Sequence, residues 1–153
     1  MNPIHRRRFL KDSTRTVVSM AAGAALLGGR RARAASPNEV IRVAVVGFNG
    51  RGASHIDGFL PSKGLGTEIG GLVDVDESVL ARGVTNVEKN QGRSPAAFTD
   101  MRKMLDDKSI DAVTIATPNH WHSLAAIWAV QAGKDVYVEK PLSHNVFEGR
   151  KLV

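Results

Sequence analysis

A glycine-containing turn follows an apolar run early in the chain. Val43–Val46 is continuously apolar, and three glycines come within the next six positions. A buried strand followed by several glycines is typical of a turn that an anion approaches closely. Glycine lets the backbone come near the anion, and the amides at the start of the next helix can then bind the anion. Compared with the dinucleotide fingerprint G-x-G-x-x-G, the turn keeps its first and last glycines at Gly47 and Gly52. Asn49 replaces the middle glycine, and Gly50 is additional.

An acidic residue ends the next predicted strand. Asp74 lies 22 residues beyond Gly52, where a carboxylate can accept hydrogen bonds from the ribose hydroxyls of a bound adenosine. Its charge would repel a 2′-phosphate, so NAD is favoured over NADP. In the alternative interpretation, Asp74 only opens a turn and Asp76 caps the next helix. The predicted cofactor-binding residues of this region are Gly47, Phe48, Asn49, Gly50, Arg51, Gly52 and Asp74.

Two polar stretches follow the last two predicted strands. They are Thr117–His122, which reads T-P-N-H-W-H, and Glu139–Pro141, which reads E-K-P. Lys140 ends a buried strand on the side where the cofactor is expected, which suits proton transfer; the alternative is a surface lysine paired with its neighbouring glutamate. His120 and His122 would diverge on a helix and have no evident third ligand, so no metal site is predicted. Trp121, between them, is expected to pack against the protein.

Short apolar runs alternate with segments of helical apolar spacing. Strands are predicted at 40–46, 68–73, 97–98, 110–116 and 136–138, and helices at 51–60, 78–90, 101–105, 123–132 and 146–153. Pro61 is expected to end the first helix, while Asp100 and Asn145 can cap the third and fifth. This alternation predicts an α/β fold: a Rossmann-type, doubly wound parallel sheet of order 3-2-1-4-5. Its ligand would bind beyond the carboxyl ends of the strands, near the switch point between the first and fourth strands.

The net charge of +6 is concentrated at the N-terminus. Residues 1–35 hold eight basic residues and one acid, whereas residues 36–153 hold 13 basic and 14 acidic residues. A domain with this nearly balanced charge lacks the excess of basic residues that binds the phosphate backbone of nucleic acids. The chain contains no cysteine, which excludes disulfides and thiolate metal sites.

The first 35 residues have the features of an export signal. Arg6–Lys11 matches the twin-arginine pattern R-R-x-F-L-K, 16–29 is an uncharged stretch of 14 residues, and Ala32–Ala34 is an A-x-A-like cleavage site. The uncharged stretch is shorter than the roughly 20 residues of a stable membrane span. We therefore expect the twin-arginine machinery to export the protein to the periplasm or beyond. A disordered basic tail and an early start codon are the alternatives.

The chain from about residue 38 to 153 resembles the N-terminal NAD-binding domain of the Gfo/Idh/MocA oxidoreductases. The resemblance rests on the glycine turn, Asp74, the T-P-N-x-x-H stretch and the E-K-P stretch. It implies hydride transfer between a sugar or polyol and NAD, with Lys140 as the catalytic residue. It also implies that further residues bind the cofactor near the nicotinamide ribose, namely Thr117, Pro118, Asn119, His122 and Glu139.

The resemblance also implies a C-terminal α+β domain that completes the active site and forms a homo-oligomer interface. That domain is absent from the 153 residues, so we expect a fragment that is inactive alone. Two alternatives to the oxidoreductase are an NAD-dependent glycosidase of the same family and a truncated, non-catalytic nucleotide-binding protein. The substrate itself is not encoded in these residues.

Overall fold

The computed structural model describes residues 40–60 and 66–153. The predicted export signal and Pro61 lie outside the described residues. Five parallel strands form one sheet of order β3-β2-β1-β4-β5, which confirms the predicted Rossmann-type topology. The strands are β1 (Ile41–Val46), β2 (Thr67–Val73), β3 (Ala96–Phe98), β4 (Ala112–Ile115) and β5 (Asp135–Val138).

Helices cover both faces of the sheet. They are α1 (Arg51–Phe59), α2 (Glu77–Gln91), α3 (Met101–Leu105), α4 (Asn119–Gln131) and α5 (Val146–Leu152). One core cluster joins α1 and α2 to the sheet, and the other joins α3 and α4 to its opposite face. Side chains of β1 alternate between the two clusters, as a strand buried on both faces requires. None of the helices in the described ranges is long and apolar enough to cross a membrane.

The helix ends follow the predicted capping chemistry. The carboxylate of Asp100 accepts the N–H of Arg102 at 2.9 Å, and Asn145 accepts the N–H of Glu148 at 2.9 Å. Gly92 ends α2 with φ of +74°, a conformation that favours glycine.

The largest difference from the predicted boundaries is the start of α4. The helix begins at Asn119, four residues before the predicted start at Ser123, and Pro118 precedes it with φ of −54°. The fixed φ of proline suits a helix entry, so the polar stretch after β4 becomes the first helical turn rather than a loop.

Candidate cofactor site

The glycine turn is packed against the end of β4. Gly47 has φ of +74°, and a Cβ there would lie 2.9 Å from the Cα of Thr117. A Cβ on Gly52 would overlap the carbonyl oxygen of Gly47. Both positions therefore require glycine, one for its φ and the other for the close approach of α1 to the strand end. Gly50 precedes α1 and provides no side-chain cap. The N–H of Ala53 donates to the carbonyl of Gly50 at 3.0 Å, whereas the N–H groups of Arg51 and Gly52, at the first two helical positions, have no acceptor within the helix.

The side chain of Phe48 fixes this turn to the hydrophobic core. Its side chain is buried in the cluster under α1 and α2. Its ring occupies the notch left by Gly83 of α2, where a Cβ would overlap the ring. The aromatic side chain of this predicted cofactor-binding residue is thus part of the core, and only its backbone belongs to the turn.

Asp74 links the glycine turn to the start of α2. Its Oδ2 accepts the backbone N–H of Phe48 at 3.1 Å, and its Oδ1 accepts the N–H of Asp76 at 3.1 Å. Asp76 in turn caps α2 by accepting the N–H of Ser78 at 2.8 Å. Asp74 therefore holds the turn in place and also lies on the wall of a crevice. These contacts match the interpretation in which Asp74 opens a turn before the Asp76 cap, while the binding of a ribose by Asp74 stays a prediction.

A crevice of about 870 Å³ opens at the carboxyl ends of the neighbouring strands β1 and β4, which are followed by helices on opposite faces of the sheet. This volume is typical of a site that encloses much of a small-molecule ligand. Six predicted cofactor-binding residues line it: Gly47, Asn49, Gly50, Asp74, Thr117 and Pro118. The lining also includes residues that the sequence analysis did not assign to the cofactor, among them Asp100, Arg102, Trp121 and Trp128.

The far wall of the crevice is aromatic and charged. Trp121 is 44% exposed instead of packed, and its ring lies 6.3 Å from that of Trp128. The Arg102 guanidinium is 6.0 Å from the Trp128 ring and pairs with the Asp100 carboxylate at 2.7 Å. This pairing lowers the pKa of Asp100 to about 2. Asp100 was predicted only as a helix cap: the predicted order placed β3 beside β2, but residue spacing does not show that the start of α3 reaches the crevice.

Thr117 offers an unused polar group on the crevice wall. Its Oγ1 is buried and has no hydrogen-bond partner among the described residues. A buried hydroxyl without a partner is costly unless a ligand supplies one. Together with the close-packed glycine turn and Asp74, this hydroxyl fits the polar ribose and diphosphate groups of a dinucleotide.

His122 and Ser123 join the two polar stretches. The His122 ring is 1% exposed, with Nδ1 2.7 Å from the carbonyl oxygen of Pro141 and Nε2 2.8 Å from that of Thr117. The hydroxyl of Ser123 donates to the carbonyl of Leu142 at 3.1 Å. His122 therefore lies behind the crevice wall, where its ring connects the segments that follow β4 and β5. Asn119, in the first turn of α4, is exposed and does not line the crevice.

Glu139 directly follows β5, and its carboxylate contacts the side chains of Arg51 and His55 on α1. Its Oε1 accepts from Nε of Arg51 at 2.8 Å and lies 2.9 Å from Nε2 of His55. The hydrogen bond from His55 has the largest effect on the pKa of Glu139, and that from Arg51 comes next. Together they lower this pKa from 4.5 to about 2. Lys140 follows as an exposed residue, and the Lys140–Pro141 peptide bond is cis.

We expect Glu139 to make stability depend on pH in the acid range. Its pKa in the folded protein is about 2 against an ordinary 4.5, so the ionised form stabilises the native state above about pH 4.5. That stabilisation is lost as the pH falls toward 2. Urea unfolding of the wild type and of Glu139→Gln should give a stability difference that shrinks between these two pH values. A difference that stays constant over the range would contradict the assigned hydrogen bonds.

The fold, the glycine turn and the crevice at the carboxyl ends of β1 and β4 define a dinucleotide-binding domain of the Rossmann class. Residues 41–153 match the family described as "Oxidoreductase family, NAD-binding Rossmann fold", Gfo/Idh/MocA, and the chain belongs to this family. The predicted NAD cofactor and the predicted family membership are thereby confirmed.

Curated relatives carry glycosidase names. The chain is 32% identical over 171 residues to the alpha-N-acetylgalactosaminidase of Shewanella oneidensis. It is also 32% identical over 171 residues to a "glycosyl hydrolase family 109 protein 1" of Shewanella sp. strain ANA-3. Both alignments cover 100% of this chain but 37% of the relative, so the chain spans little more than a third of these proteins.

Several solved structures of similar fold are named as dehydrogenases. The myo-inositol dehydrogenase of Lactobacillus casei, in complex with NAD(H) and myo-inositol, is 25% identical with a TM-score of 0.67. The match covers 74% of this chain and 32% of that one. The WlbA dehydrogenase of Bordetella pertussis, in complex with NADH and UDP-GlcNAcA, is 27% identical with a TM-score of 0.61, covering 74% and 33%.

Proposed function

We propose that this chain is the cofactor-binding part of an enzyme that transfers hydride between a sugar or polyol and NAD. The observation that carries the proposal is the crevice at the carboxyl ends of β1 and β4. Asp74 and the Thr117 hydroxyl, which has no hydrogen-bond partner within residues 40–60 and 66–153, both line it. The sugar and polyol ligands named for the similar dehydrogenases support the substrate class.

The residues of the chain divide into two groups in this proposal. The glycine turn and the amides at the start of α1 bind the diphosphate, and Asp74 binds the adenosine ribose. Thr117 and Glu139 bind hydroxyl groups nearer the nicotinamide. When bound, NAD supplies the acceptor or donor of the hydride. Lys140, exposed beside Glu139, orients a substrate hydroxyl and takes or returns its proton.

Binding tests the cofactor part of the proposal. NAD⁺ titrated calorimetrically into the protein should bind with 1:1 stoichiometry. Thr117→Val keeps the shape of the side chain but removes the hydroxyl, so we expect NAD⁺ affinity to fall by roughly tenfold while the thermal midpoint is unchanged or rises. Absence of NAD⁺ binding to the wild type, or equal NAD⁺ affinity for the variant, would contradict the proposed contacts.

Turnover tests the role of Lys140. In the enzyme with its substrate-binding part present, Lys140→Ala should lower kcat by on the order of 10²-fold, because positioned proton transfer contributes about this much or more. NAD⁺ affinity should be unchanged. Lys103→Ala, an exposed lysine on α3, serves as the matched control. Unchanged turnover of Lys140→Ala would remove the proposed role.

A second candidate is a glycosidase in which NAD oxidises the sugar only transiently. The glycosidase names of the relatives at 32% identity favour it. The two functions differ in net redox change. A glycosidase would cleave a chromogenic N-acetylgalactosaminide without accumulating NADH, whereas the dehydrogenase would produce NADH from the free sugar or polyol and leave the glycoside intact.

We further propose that residues 1–35 direct the protein through the twin-arginine pathway. The R-R-x-F-L-K pattern, the uncharged stretch and the A-x-A-like site support this assignment. Export of a folded chain suits a protein that binds its cofactor before leaving the cytoplasm. Replacement of Arg6 and Arg7 by lysine should retain the protein in the cytoplasm; unchanged export would refute the assignment.

A further inference from the structure

We propose that His55 is a positioning residue for the cofactor: it holds Oε1 of Glu139 so that Oε2 faces a hydroxyl of the nicotinamide ribose. This inference rests on the proposed function, because it assumes that a nicotinamide dinucleotide occupies the crevice.

His55 bridges three elements of the fold. It lies on α1, with its side chain 9% exposed. Its Nε2 is 2.9 Å from Oε1 of Glu139 at the end of β5, and its Nδ1 is 3.0 Å from Oγ1 of Thr114 on β4. The ring of Tyr137 closes a further side, edge-on at a centroid distance of 5.5 Å. The imidazole is thus held by β4 and β5 together, next to the strand ends that carry the two polar stretches.

The chemistry of the two partners shows which nitrogen of the His55 ring donates and which accepts a hydrogen bond. A carboxylate oxygen only accepts, so the bond to Glu139 requires a proton on Nε2 of His55. In the neutral imidazole, Nδ1 then accepts from the hydroxyl of Thr114. Thr114 is buried, and because a hydroxyl can donate or accept, its bond to Nδ1 is compatible with the tautomer that the carboxylate of Glu139 selects. The donor chain therefore runs from Thr114 through His55 to Glu139.

Both α1 donors use the same oxygen of Glu139. Arg51 donates to Oε1 as well, but its side chain is 65% exposed, so this ion pair is screened by solvent. His55, whose side chain is only 9% exposed, is instead held through both ring nitrogens. Oε2 has only a long contact, 3.4 Å from the backbone N of Lys140, and therefore keeps most of its acceptor capacity. Glu139 is also fixed by its backbone, since its N–H donates to the carbonyl of Ile115 on β4 at 2.9 Å.

Comparing the affinities for NAD⁺ and ADP distinguishes a role of His55 in positioning Glu139 from a general role in stabilising the fold. ADP contains the adenosine and diphosphate groups but not the nicotinamide ribose. In His55→Leu, calorimetry should show NAD⁺ affinity reduced by roughly tenfold, as for loss of a charge-assisted hydrogen bond, with ADP affinity unchanged. His55→Gln should recover most of the NAD⁺ affinity, because its terminal amide can place a donor near the position of Nε2. Thr114→Val, which removes the hydroxyl alone, should lower NAD⁺ affinity in the same selective way.

The outcomes distinguish this inference from the proposed function. Equal losses of ADP and NAD⁺ affinity in His55→Leu and Thr114→Val would show a structural role only and overturn the inference. Unchanged NAD⁺ affinity in both variants would also overturn it, while leaving the proposed function intact. A wild-type protein that binds neither ligand would overturn the proposed function, and this inference with it.

Discussion

Gly52→Ala is expected to destabilise the protein by on the order of 3 kcal/mol and to remove measurable NAD⁺ binding. A Cβ at this position would overlap the carbonyl oxygen of Gly47 and lie 3.0 Å from the carbonyl carbon. Both are backbone atoms of the turn, so no side-chain rotation relieves the overlap. The start of α1 would have to move away from the end of β1, and the amides proposed to bind the diphosphate would move with it.

Gly58→Ala is the matched control, because it places the same methyl group on the same helix. A Cβ on Gly58 meets nothing within 4 Å, and alanine is preferred to glycine within a helix by up to about 1 kcal/mol. We expect this variant to be as stable as the wild type or slightly more stable. Urea unfolding followed by the fluorescence of Trp121 and Trp128 measures both effects. Similar midpoints for the two variants would show that the close approach at Gly52 is not needed.

Asp74→Ala is expected to lower NAD⁺ affinity by about 10²-fold. The carboxylate accepts the N–H groups of Phe48 and Asp76, so its loss releases the turn at one end and the entry to α2 at the other. It also removes the proposed acceptor of the ribose hydroxyls. Hydrogen bonds to a charged group contribute roughly 1.5–3 kcal/mol each, and about 2.7 kcal/mol corresponds to a 10²-fold change in affinity.

The charge of Asp74 should also set the preference between the two dinucleotides. Asp74→Asn keeps an acceptor oxygen but removes the negative charge, so the ratio of NADP⁺ to NAD⁺ affinity should rise. Calorimetric titration of both dinucleotides measures the ratio. Asp57→Asn, on α1 and away from the crevice, is the control and should change neither affinity. If Asp74→Asn leaves the ratio as in the wild type, another group excludes the 2′-phosphate.

The sequence predicts the fold well because the fold depends on patterns that act locally. Apolar runs of strand length, helical spacing and caps such as Asp100 each follow from a few neighbouring residues, and the parallel topology follows from their alternation. The glycine turn is predictable for the same reason, since positive φ and close approach restrict residue type at single positions. The start of α4 was misplaced because Pro118 permits both a turn and a helix entry.

The parts of the site that the sequence analysis missed depend on which elements become neighbours. Arg51 and His55 are one helical turn apart, and that spacing could have shown that they reach the same point. Their common partner Glu139 is 84 residues beyond His55, so only the packing of α1 over β4 and β5 shows the cluster. Trp128 and Arg102 belong to different helices and line the same crevice because α3 and α4 pack on the same face of the sheet.

The contact between Phe48 and Gly83 has a consequence for how relatives of this domain can diverge. The Phe48 ring fills the space that a side chain at position 83 of α2 would need. The side chains at positions 48 and 83 therefore share one fixed volume. Substitution of Gly83 by a larger residue is tolerable only with a smaller residue in place of Phe48. Aligned homologues should therefore show inverse side-chain size at these two positions, and changes at one should accompany changes at the other along the same evolutionary branches.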